Sequence, residues 1–355
     1  MKKLYTLILA ICLFACSICF TGCSQKNPDI SLKITDLAGD EITLPTKIEK
    51  IATTSNSSTN MIIAFGGGDK LIGAYKTFFD NPWVEYFYPN ISNLTKFTSY
   101  APESESLIAM DVDLFIASSA DAAKSLREKG ICAIYLNFFS VADIRTSANI
   151  IGKILGSEAT TRVNKWINYF DDSITTCSSL LGEIDESSKP VVYEVIGDKY
   201  RGLFRTNYGD ASKWIEYAGG QIATKEFANA YVTGNAPTEE AILAKNPDYV
   251  FIGGTYSSKL YDDIYSDVKW TNINAVRNEK VFIIPVGCDY WNGMGMEYPL
   301  LNYYAFSCMY PSKANYSIKS LAHDFYLEYY KVDFTEQQLQ YMLSSLSPTG
   351  GNICE

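Results

Sequence analysis

The sequence contains one pattern twice, and this repeat constrains the fold more than any other feature. The stretch Glu105-Ser-Leu-Ile-Ala-Met-Asp-Val-Asp113-Leu-Phe-Ile returns as Glu240-Ala-Ile-Leu-Ala-Lys-Asn-Pro-Asp248-Tyr-Val-Phe. Each copy predicts a short helix, a turn and a buried strand, with a glutamate in the first helical turn and an aspartate just before the strand. Repetition of a whole supersecondary unit predicts two structurally related halves.

Further apolar segments surround both copies. A predicted strand precedes each copy, at residues 50–54 and 190–196, and another follows each copy, at residues 132–136 and 280–285. Strands that alternate with helical segments form parallel βαβ units. We therefore predict an α/β fold with two Rossmann-like lobes built on parallel sheets, the first of which begins with a hairpin at residues 32–44.

A helical stretch separates the two halves. Val141 to Leu155 predicts one helix that ends at Gly156, and Ser157 is predicted to cap a second helix that runs to about Leu181. Apolar residues recur in the second helix at three- and four-residue steps, which indicates one buried face. Its ~25 residues span roughly 37 Å, enough to cross a domain and to restrict motion between two lobes. An ordinary packing helix in one large domain is the alternative, and the repeat argues against it.

The first residues predict export from the cell. A short basic start, Met1-Lys2-Lys3, is followed by an almost entirely apolar run to Phe20, which is typical of a secretory signal. The run ends in Phe20-Thr21-Gly22-Cys23, which resembles a bacterial lipobox and makes Cys23 the predicted lipidation site. Cys16 is the alternative lipidation site. The apolar run can also be interpreted as a retained membrane anchor, because its length is near the lower limit for a spanning helix.

Charge and metal-binding residues narrow the function classes. The formal net charge of −10 argues against nucleic acid as a partner, because a surface that neutralises phosphates is basic. Beyond the predicted lipobox the cysteines are Cys132, Cys177, Cys288, Cys308 and Cys354, which are too scattered for a metal or redox motif. Their disulfide pairing is left open. His323 is the only histidine, so a site for bare zinc or manganese is not expected.

The order of several motifs resembles the iron-complex, haem and cobalamin periplasmic-binding family over roughly residues 30–330. The motifs are the lipobox, Ile34-Thr-Asp-Leu-Ala-Gly-Asp-Glu-Ile-Thr-Leu-Pro45, both Glu-to-Asp copies, and Trp270-Thr-Asn-Ile-Asn-Ala-Val-Arg-Asn-Glu-Lys-Val281. One departure is Val112, where the family often has proline before the aspartate. The resemblance implies two lobes joined by a long rigid helix, with a ligand cleft between them.

The same resemblance implies a function. A lipoprotein of this family binds an iron- or cobalt-containing organic complex, such as a ferric siderophore, haem or a corrinoid, and delivers it to the permease and ATPase of an ABC importer. No resident cofactor is expected, because the metal belongs to the cargo. We expect a lipid-tethered monomer on the extracytoplasmic face of the bacterial cell membrane.

We divide the chain on this basis. The expected units are a signal peptide at residues 1–22, the lipidated cysteine and tether at 23–30, an N-terminal α/β lobe at 31–140, connecting helices at 141–185, a C-terminal α/β lobe with C-terminal helices at 186–346, and a loose tail at 347–355. The resemblance also implies that Glu105 and Glu240 dock onto the permease, although Glu103 and Glu239 lie close enough to blur that assignment.

Ligands of α/β sheets bind at the carboxyl ends of the strands, so the loops there supply the candidate ligand-binding residues. These residues are Asn56, Tyr75, Trp83, Tyr100, Arg201, Arg205, Tyr231, Tyr256, Tyr290 and Trp291. Aromatic side chains suit a large flat ligand, and arginine forks suit a carboxylate or phosphate. Core packing is the alternative for each aromatic residue, and a solvated loop is the alternative for each arginine.

The sequence has no GxSxG elbow, no P-loop and no dinucleotide-binding glycine motif, so an enzyme is not expected. A lipoprotein hydrolase or a glycan-binding surface protein is the alternative, because the many carboxylates always offer pairs.

Overall fold

The computed structural model describes residues 31–196, 209–227 and 237–353 of the chain. Two all-parallel sheets, one before and one after a long helix, form the two lobes. This arrangement confirms the predicted fold class. Among the described residues, no helix combines the length and the apolar character needed to cross a bilayer.

The first lobe begins with a hairpin and continues as a five-stranded sheet. Strands β1 (Lys33–Thr35) and β2 (Glu41–Thr43) form the antiparallel hairpin, as predicted. The sheet contains β3 (Ile51–Thr53), β4 (Leu71–Tyr75), β5 (Thr95–Phe97), β6 (Leu114–Ala117) and β7 (Ala133–Tyr135), in the order β5-β4-β3-β6-β7, and every neighbouring pair is parallel. Strand β6 is buried along its whole length, which explains its unbroken apolar sequence.

The second lobe has a four-stranded sheet. Its strands are β8 (Val191–Ile196), β9 (Gln221–Ile222), β10 (Tyr249–Gly253) and β11 (Val281–Ile283), in the order β11-β10-β8-β9, again with parallel neighbours. The central pair, β8 and β10, corresponds to the central pair β3 and β6 of the first lobe. Each parallel sheet therefore places the repeated strand beside the first strand of that sheet.

Helices cover these sheets and connect the lobes. Their bounds are α1 (Asn56–Ala64), α2 (Val84–Phe87), α3 (Ser104–Ala109), α4 (Ala120–Glu128), α5 (Val141–Leu155), α6 (Ser157–Leu181), α7 (Trp214–Tyr217), α8 (Glu239–Ala244), α9 (Ser257–Ser266), α10 (Asn274–Arg277), α11 (Tyr298–Met309), α12 (Ile318–Tyr330) and α13 (Glu336–Leu343).

The aspartate of each repeat copy fixes the start of the neighbouring central strand. The Oδ2 atom of Asp113 accepts the backbone N–H groups of Glu49 and Lys50, at 2.7 and 2.9 Å, just before β3. The Oδ2 atom of Asp248 accepts the N–H of Val191, at 3.0 Å, at the start of β8. Both carboxylates thus satisfy backbone donors at strand entry, which explains physically why the pattern recurs.

Helix α6 is the long connection between the lobes, and its predicted extent is confirmed. Gly156 and Gly182 flank it, and both have positive φ angles, 108° and 70°, that favour glycine. Gly156 is the residue before the helix, so Ser157 is its first helical residue and not its cap, contrary to the prediction. The buried face of α6 includes Trp166 and Phe170.

One hydrophobic core runs through both lobes. It extends from Ile51 and Leu114 of the first sheet, through Trp166 of α6, to Phe251 of the second sheet. The Trp166 Nε1–H donates to the Met296 carbonyl oxygen at 3.0 Å, which ties α6 to the second lobe. Because well-packed cores resist deformation, this shared core limits how far the lobes can separate.

Arg162 of α6 connects this helix to the C-terminal ends of α1 and α12 by hydrogen bonds. Its guanidinium donates to the Ala64 carbonyl oxygen from Nε and Nη2, at 3.0 and 2.6 Å, and to the Tyr329 carbonyl oxygen from Nη2, at 2.7 Å. Those carbonyls end α1 and α12, where a cation is favoured by the helix dipole. One side chain of α6 thereby caps the ends of two other helices.

The C-terminal part of the chain is folded back onto the body. The predicted C-terminal helices are present as α12 and α13, and α13 starts with a capping box between Thr335 and Gln338. The predicted loose tail is wrong for residues 347–353, because Leu346 pairs with Asn352 in a closed turn. Cys132, Cys177, Cys288 and Cys308 are all free thiols, whereas Cys354 lies outside the described residues.

Candidate functional site

The loops at the carboxyl ends of the two sheets face each other. Ser57, in the first turn after β3, donates from Oγ to the Gly293 carbonyl oxygen at 3.3 Å, in the loop after β11. Nearby, the Cys288 thiol donates to Asn60 Oδ1 at 2.9 Å. Ligands of open α/β sheets bind in the crevice beyond the carboxyl ends of the strands. The cleft between the lobes is therefore the candidate site, and these contacts close one side of it.

The first lobe presents two stacked tyrosine rings to this cleft. The rings of Tyr75, at the end of β4, and Tyr100 have centroids 4.1 Å apart and an angle of 21° between their planes. Tyr75 is buried, whereas Tyr100 keeps 56% of its surface exposed. Partial burial raises the pKa of Tyr100, and the Tyr75 hydroxyl adds to that shift, so its phenol is neutral at physiological pH. The pair forms a flat apolar platform with one open face.

Neutral polar groups surround the platform. The Thr54 hydroxyl donates to the Tyr100 carbonyl oxygen at 3.1 Å and lies 3.3 Å from the Ser118 hydroxyl. The Asn56 amide donates to the Thr77 hydroxyl at 3.0 Å, on an exposed part of the loops after β3 and β4. The structure thus brings together Asn56, Tyr75 and Tyr100, three of the predicted residues, at adjacent strand ends.

The second lobe presents a buried polar network instead. Glu194, in the middle of β8, accepts the Ser212 hydroxyl at 2.9 Å and the Asn292 amide at 3.0 Å. Asn292 packs so closely on β10 that a Cβ atom added to Gly253 would meet its Nδ2 at 2.5 Å. The sequence analysis assigned no role to Glu194. The available signal was a single carboxylate inside the otherwise apolar strand at residues 190–196.

A second buried carboxylate holds the loop after β11. Glu297 is 1% exposed, and its Oε1 accepts the N–H of Cys288 at 2.8 Å and that of Asp289 at 3.4 Å. Its Oε2 has no hydrogen-bond partner in the part of the chain that the structure describes. Burial raises the pKa of Glu297 to about 8, and the Asp289 carboxylate adds to the shift. Glu297 is therefore mostly protonated at neutral pH.

Two of the predicted ligand-binding residues belong to the core, which corrects the prediction. Trp83 and Trp291 have no exposed surface. The Trp83 indole N–H donates to the Leu346 carbonyl oxygen at 2.8 Å, and that of Trp291 donates to the Tyr326 hydroxyl at 2.9 Å. Buried indoles normally find such a partner. Both rings are packed in the core and both N–H groups are already bonded, so neither side chain is available to a ligand.

Tyr256 and Tyr290 are half-buried in loops after β10 and β11. Tyr256 immediately precedes α9 and lines a pocket there. The backbone of Tyr290 is held on both sides, since its N–H donates to Asp289 Oδ1 at 2.8 Å and its carbonyl oxygen accepts the Gly293 N–H at 2.7 Å. Arg201, Arg205, Tyr231 and the predicted lipidation site Cys23 lie outside the described residues.

The two predicted docking glutamates are exposed in short helices of equivalent position. Glu105 lies in the first turn of α3, before β6, and Glu240 lies in the first turn of α8, before β10. Glu239 has a structural role, because it pairs with Lys269 and accepts the Trp270 indole N–H at 2.9 Å. Glu240 is therefore the freer carboxylate of that pair. Glu103 is exposed too, at the residue before α3.

Candidate metal-ligating side chains do not cluster in the described part of the chain. Within residues 31–196, 209–227 and 237–353, no three or more His, Cys, Asp and Glu side chains converge as a metal site would require. His323 lies beside Asp333 and Asp324, with ring nitrogens 2.9 and 3.3 Å from their carboxylates. Hydrogen bonds to Asp333 and then Asp324 raise the pKa of His323.

Comparison with known proteins identifies relatives over most of the chain. The sequence profile of the family described as periplasmic binding protein matches residues 51–286. The uncharacterized ABC transporter substrate-binding lipoprotein YvrC of Bacillus subtilis (strain 168) is 25% identical over 274 residues, which cover 73% of this chain and 79% of YvrC. The iron(3+)-hydroxamate-binding protein FhuD of the same organism is 22% identical over 245 residues, which cover 65% of this chain and 72% of FhuD.

A solved structure shows the same fold. The crystal structure of a periplasmic solute binding protein from Veillonella parvula DSM 2008 superposes with a TM-score of 0.72 at 21% sequence identity. The superposition covers 90% of this chain and 99% of that protein. At this level of identity, the likeness establishes the architecture of the two lobes and leaves the ligand open.

Proposed function

The chain belongs to the periplasmic binding protein family and is a substrate-binding protein of an ABC transporter, not an enzyme, and on that premise we propose that its cargo is an iron- or cobalt-containing organic complex. The proposal includes ferric siderophores, haem and corrinoids. The similarity to FhuD, which is named for iron(3+)-hydroxamate, supports the first of these classes.

The stacked Tyr75–Tyr100 pair is the observation that carries this proposal. Its outer face is open, and Tyr100 is 56% exposed at the end of the first sheet. A flat conjugated ligand, or the aromatic part of an iron chelate, gains contact area and stacking energy on such a face. The neighbouring amide and hydroxyl groups of Asn56 and Thr77 can orient polar substituents of the same ligand.

Thermal unfolding by calorimetry tests the cargo class directly. The full chain in detergent micelles is heated alone and with haem, cobalamin, cobinamide and several ferric siderophores, and the metal-free forms of haem and the siderophores serve as controls. A ligand at 100 times its Kd stabilises the native state by about 2.7 kcal/mol. A higher Tm with one class identifies the cargo, whereas an unchanged Tm with every complex contradicts the proposal.

Delivery to the permease depends, in this proposal, on Glu105 and Glu240. Both carboxylates are exposed, one on each lobe, so together they can orient the protein on a membrane partner. Charged contacts at an interface rim mainly govern specificity and association rate. The double variant Glu105→Lys/Glu240→Lys is expected to abolish cargo uptake by cells and to leave the Kd for cargo unchanged.

The matched control for docking is Glu158→Lys/Glu183→Lys, which reverses two other exposed carboxylates. It changes the net charge equally and is expected to preserve uptake. Normal uptake by the Glu105/Glu240 variant would exclude these residues as the docking contacts.

We further propose that Cys23 carries a lipid that holds the protein on the extracytoplasmic face of the cell membrane. The relative YvrC is named as a lipoprotein, and Cys23 ends the lipobox-like sequence. The variant Cys23→Ala is expected to leave the membrane fraction, as measured by fractionation and metabolic labelling with a fatty acid. Retained label in Cys23→Ala, together with loss of label in Cys16→Ala, would move the lipid to Cys16.

A further inference from the structure

A pocket lies between the beginning of α9 and the C-terminal turn, which we define as residues 344–353. It has a volume of about 180 Å³, enough for a small organic group rather than a single water. Tyr256, Ser258, Lys259 and Asp262 line it from the second lobe, and Ser345 and Asn352 line it from the C-terminal turn. Its first lining residue, Thr255, follows the end of β10 at Gly253, so the pocket lies at the carboxyl end of the second sheet.

The helix side of the pocket offers unpaired backbone donors. Helix α9 has ten residues, and no side chain caps its N-terminus. Among the described residues, the N–H groups of Ser258 and Lys259 have no hydrogen-bond partner. Such N–H groups, with the positive end of the helix dipole behind them, favour an oxygen acceptor.

The opposite wall supplies a second observation that points to a ligand. Ser345 is 1% exposed, lines the pocket, and its Oγ has no hydrogen-bond partner within the described chain. A buried hydroxyl without a partner carries a desolvation penalty, so a bound group that hydrogen-bonds to it gains binding free energy. The Asn352 amide on the same wall can both donate and accept.

The charges around the pocket favour a neutral ligand over an ionic one. Lys259 pairs with Asp263 across one helical turn, while Asp262 lines the pocket itself. An anion would meet the Asp262 carboxylate, and a cation would meet the N-terminal end of α9. A neutral group with a carbonyl acceptor and an O–H or N–H donor can pair with the α9 N–H groups, the Ser345 hydroxyl and the Asn352 amide.

The C-terminal turn also has a fixed position relative to the first lobe. The Leu346 carbonyl oxygen accepts the Trp83 indole N–H at 2.8 Å, and Leu346 pairs with Asn352 within the turn. The wall that carries Ser345 and Asn352 is therefore attached to the first lobe while it faces the second. This geometry makes the turn an end wall of the cleft.

We propose that this pocket is a subsite that binds a neutral amide, hydroxamate or hydroxyl-bearing arm of the cargo, and that the C-terminal turn sets cargo specificity. The claim that the bound group is an arm of the cargo rests on the proposed function. The claim that the pocket binds a small neutral molecule does not.

Acetohydroxamic acid is a suitable probe, because it is neutral and carries a carbonyl, an N–H and an O–H in one small molecule. Saturation-transfer NMR on the full chain in micelles is expected to show binding to the wild type. Ser345→Ala should weaken it about fivefold, the loss of one hydrogen bond. Because Ser345 Oγ is unpaired in the fold, this change should leave the Tm nearly unchanged. Thr349→Ala, at the exposed tip of the same turn, is the control and should bind normally.

The same variants are then tested with any complex that the calorimetric panel identifies. A similar rise in Kd for Ser345→Ala, and none for Thr349→Ala, supports the subsite as part of the cargo site. Probe binding that depends on Ser345, with no complex bound, supports the pocket and contradicts the proposed cargo. No probe binding, or equal binding by wild type and Ser345→Ala, overturns the inference even if a complex binds.

Discussion

The two lobes end their parallel strands with different chemistry at the same cleft. In the first lobe, the strand-end loops keep the Thr77 hydroxyl and the Tyr100 ring at the surface. In the second lobe, the loop after β11 turns inward, so that Trp291 and Glu297 are buried and Asn292 bonds to Glu194. Residues in loops at the carboxyl ends of strands thus stay exposed in one lobe and are buried in the core of the other.

The two lobes differ because hydrogen-bond partners surround the loop after β11 but not the first-lobe platform. The loop at residues 286–297 lies between α1 and α12, where Asn60 and Tyr326 accept its thiol and indole donors. The Tyr75–Tyr100 platform has a neighbour on one face only. A polar or aromatic side chain stays available for a ligand only when the fold has not already paired it.

The largest expected effect comes from the buried aromatic residue. Trp291→Ala removes a fully buried ring and leaves the Tyr326 hydroxyl without its donor, so we expect a loss of about 3–5 kcal/mol in the free energy of unfolding. Urea denaturation measures this loss. Weaker cargo binding with unchanged stability would instead place Trp291 in the ligand site. It would contradict the assignment of this loop to the core.

The buried carboxylate gives the next largest effect, and its sign depends on pH. Because burial holds the pKa of Glu297 near 8, against about 4.5 for an ordinary glutamate, the native state keeps a proton that the unfolded chain releases. The stability of the wild type therefore falls as pH rises from about 4.5 to about 8. Glu297→Gln mimics the protonated form and should be more stable at pH 8, on the order of 4 kcal/mol, with little difference at pH 4.

Denaturation curves at several pH values test this prediction, with the exposed Glu183→Gln as the control. We expect a flatter pH profile for Glu297→Gln and an unchanged profile for the control. Parallel profiles for wild type and Glu297→Gln would show that Glu297 is ionised in the native state.

The smallest effect on stability is expected at the first-lobe platform. Tyr100→Ala removes one stacked ring that is more than half exposed, so the free energy of unfolding should fall by no more than about 1 kcal/mol. Cargo Kd should rise about fivefold, because the outer stacking face is lost. Tyr100→Phe keeps the ring and should bind normally. A large loss of stability with unchanged Kd would remove the contrast with Trp291.

Periodic features of the sequence predicted the framework well. The repeat predicted two related lobes, the three- and four-residue apolar spacing predicted α6, and alternating elements predicted parallel sheets. Helix α11 was not predicted because it is buried on all sides. Its apolar residues show no face, and a helix buried all round lacks the amphipathic period on which such predictions depend.

The candidate site was predicted only in part. Topology placed Asn56, Tyr75 and Tyr100 at the strand ends, because the carboxyl-end rule depends on the order of elements alone. The same rule placed Trp83 and Trp291 there too, and it contains no information on which way a loop turns. The Ser345 hydroxyl and the uncapped start of α9 lie far apart in the sequence, so no local pattern connects them.

The sequence by itself determined the local elements, the doubled lobe and the family, because these depend on spacing within short segments and on motif order. The tertiary structure alone decided which loop side chains are buried in the core and which stay exposed to a ligand. That choice depends on hydrogen bonds such as Trp291 to Tyr326 and Glu194 to Asn292, whose partners are distant in sequence and meet only when the lobes pack.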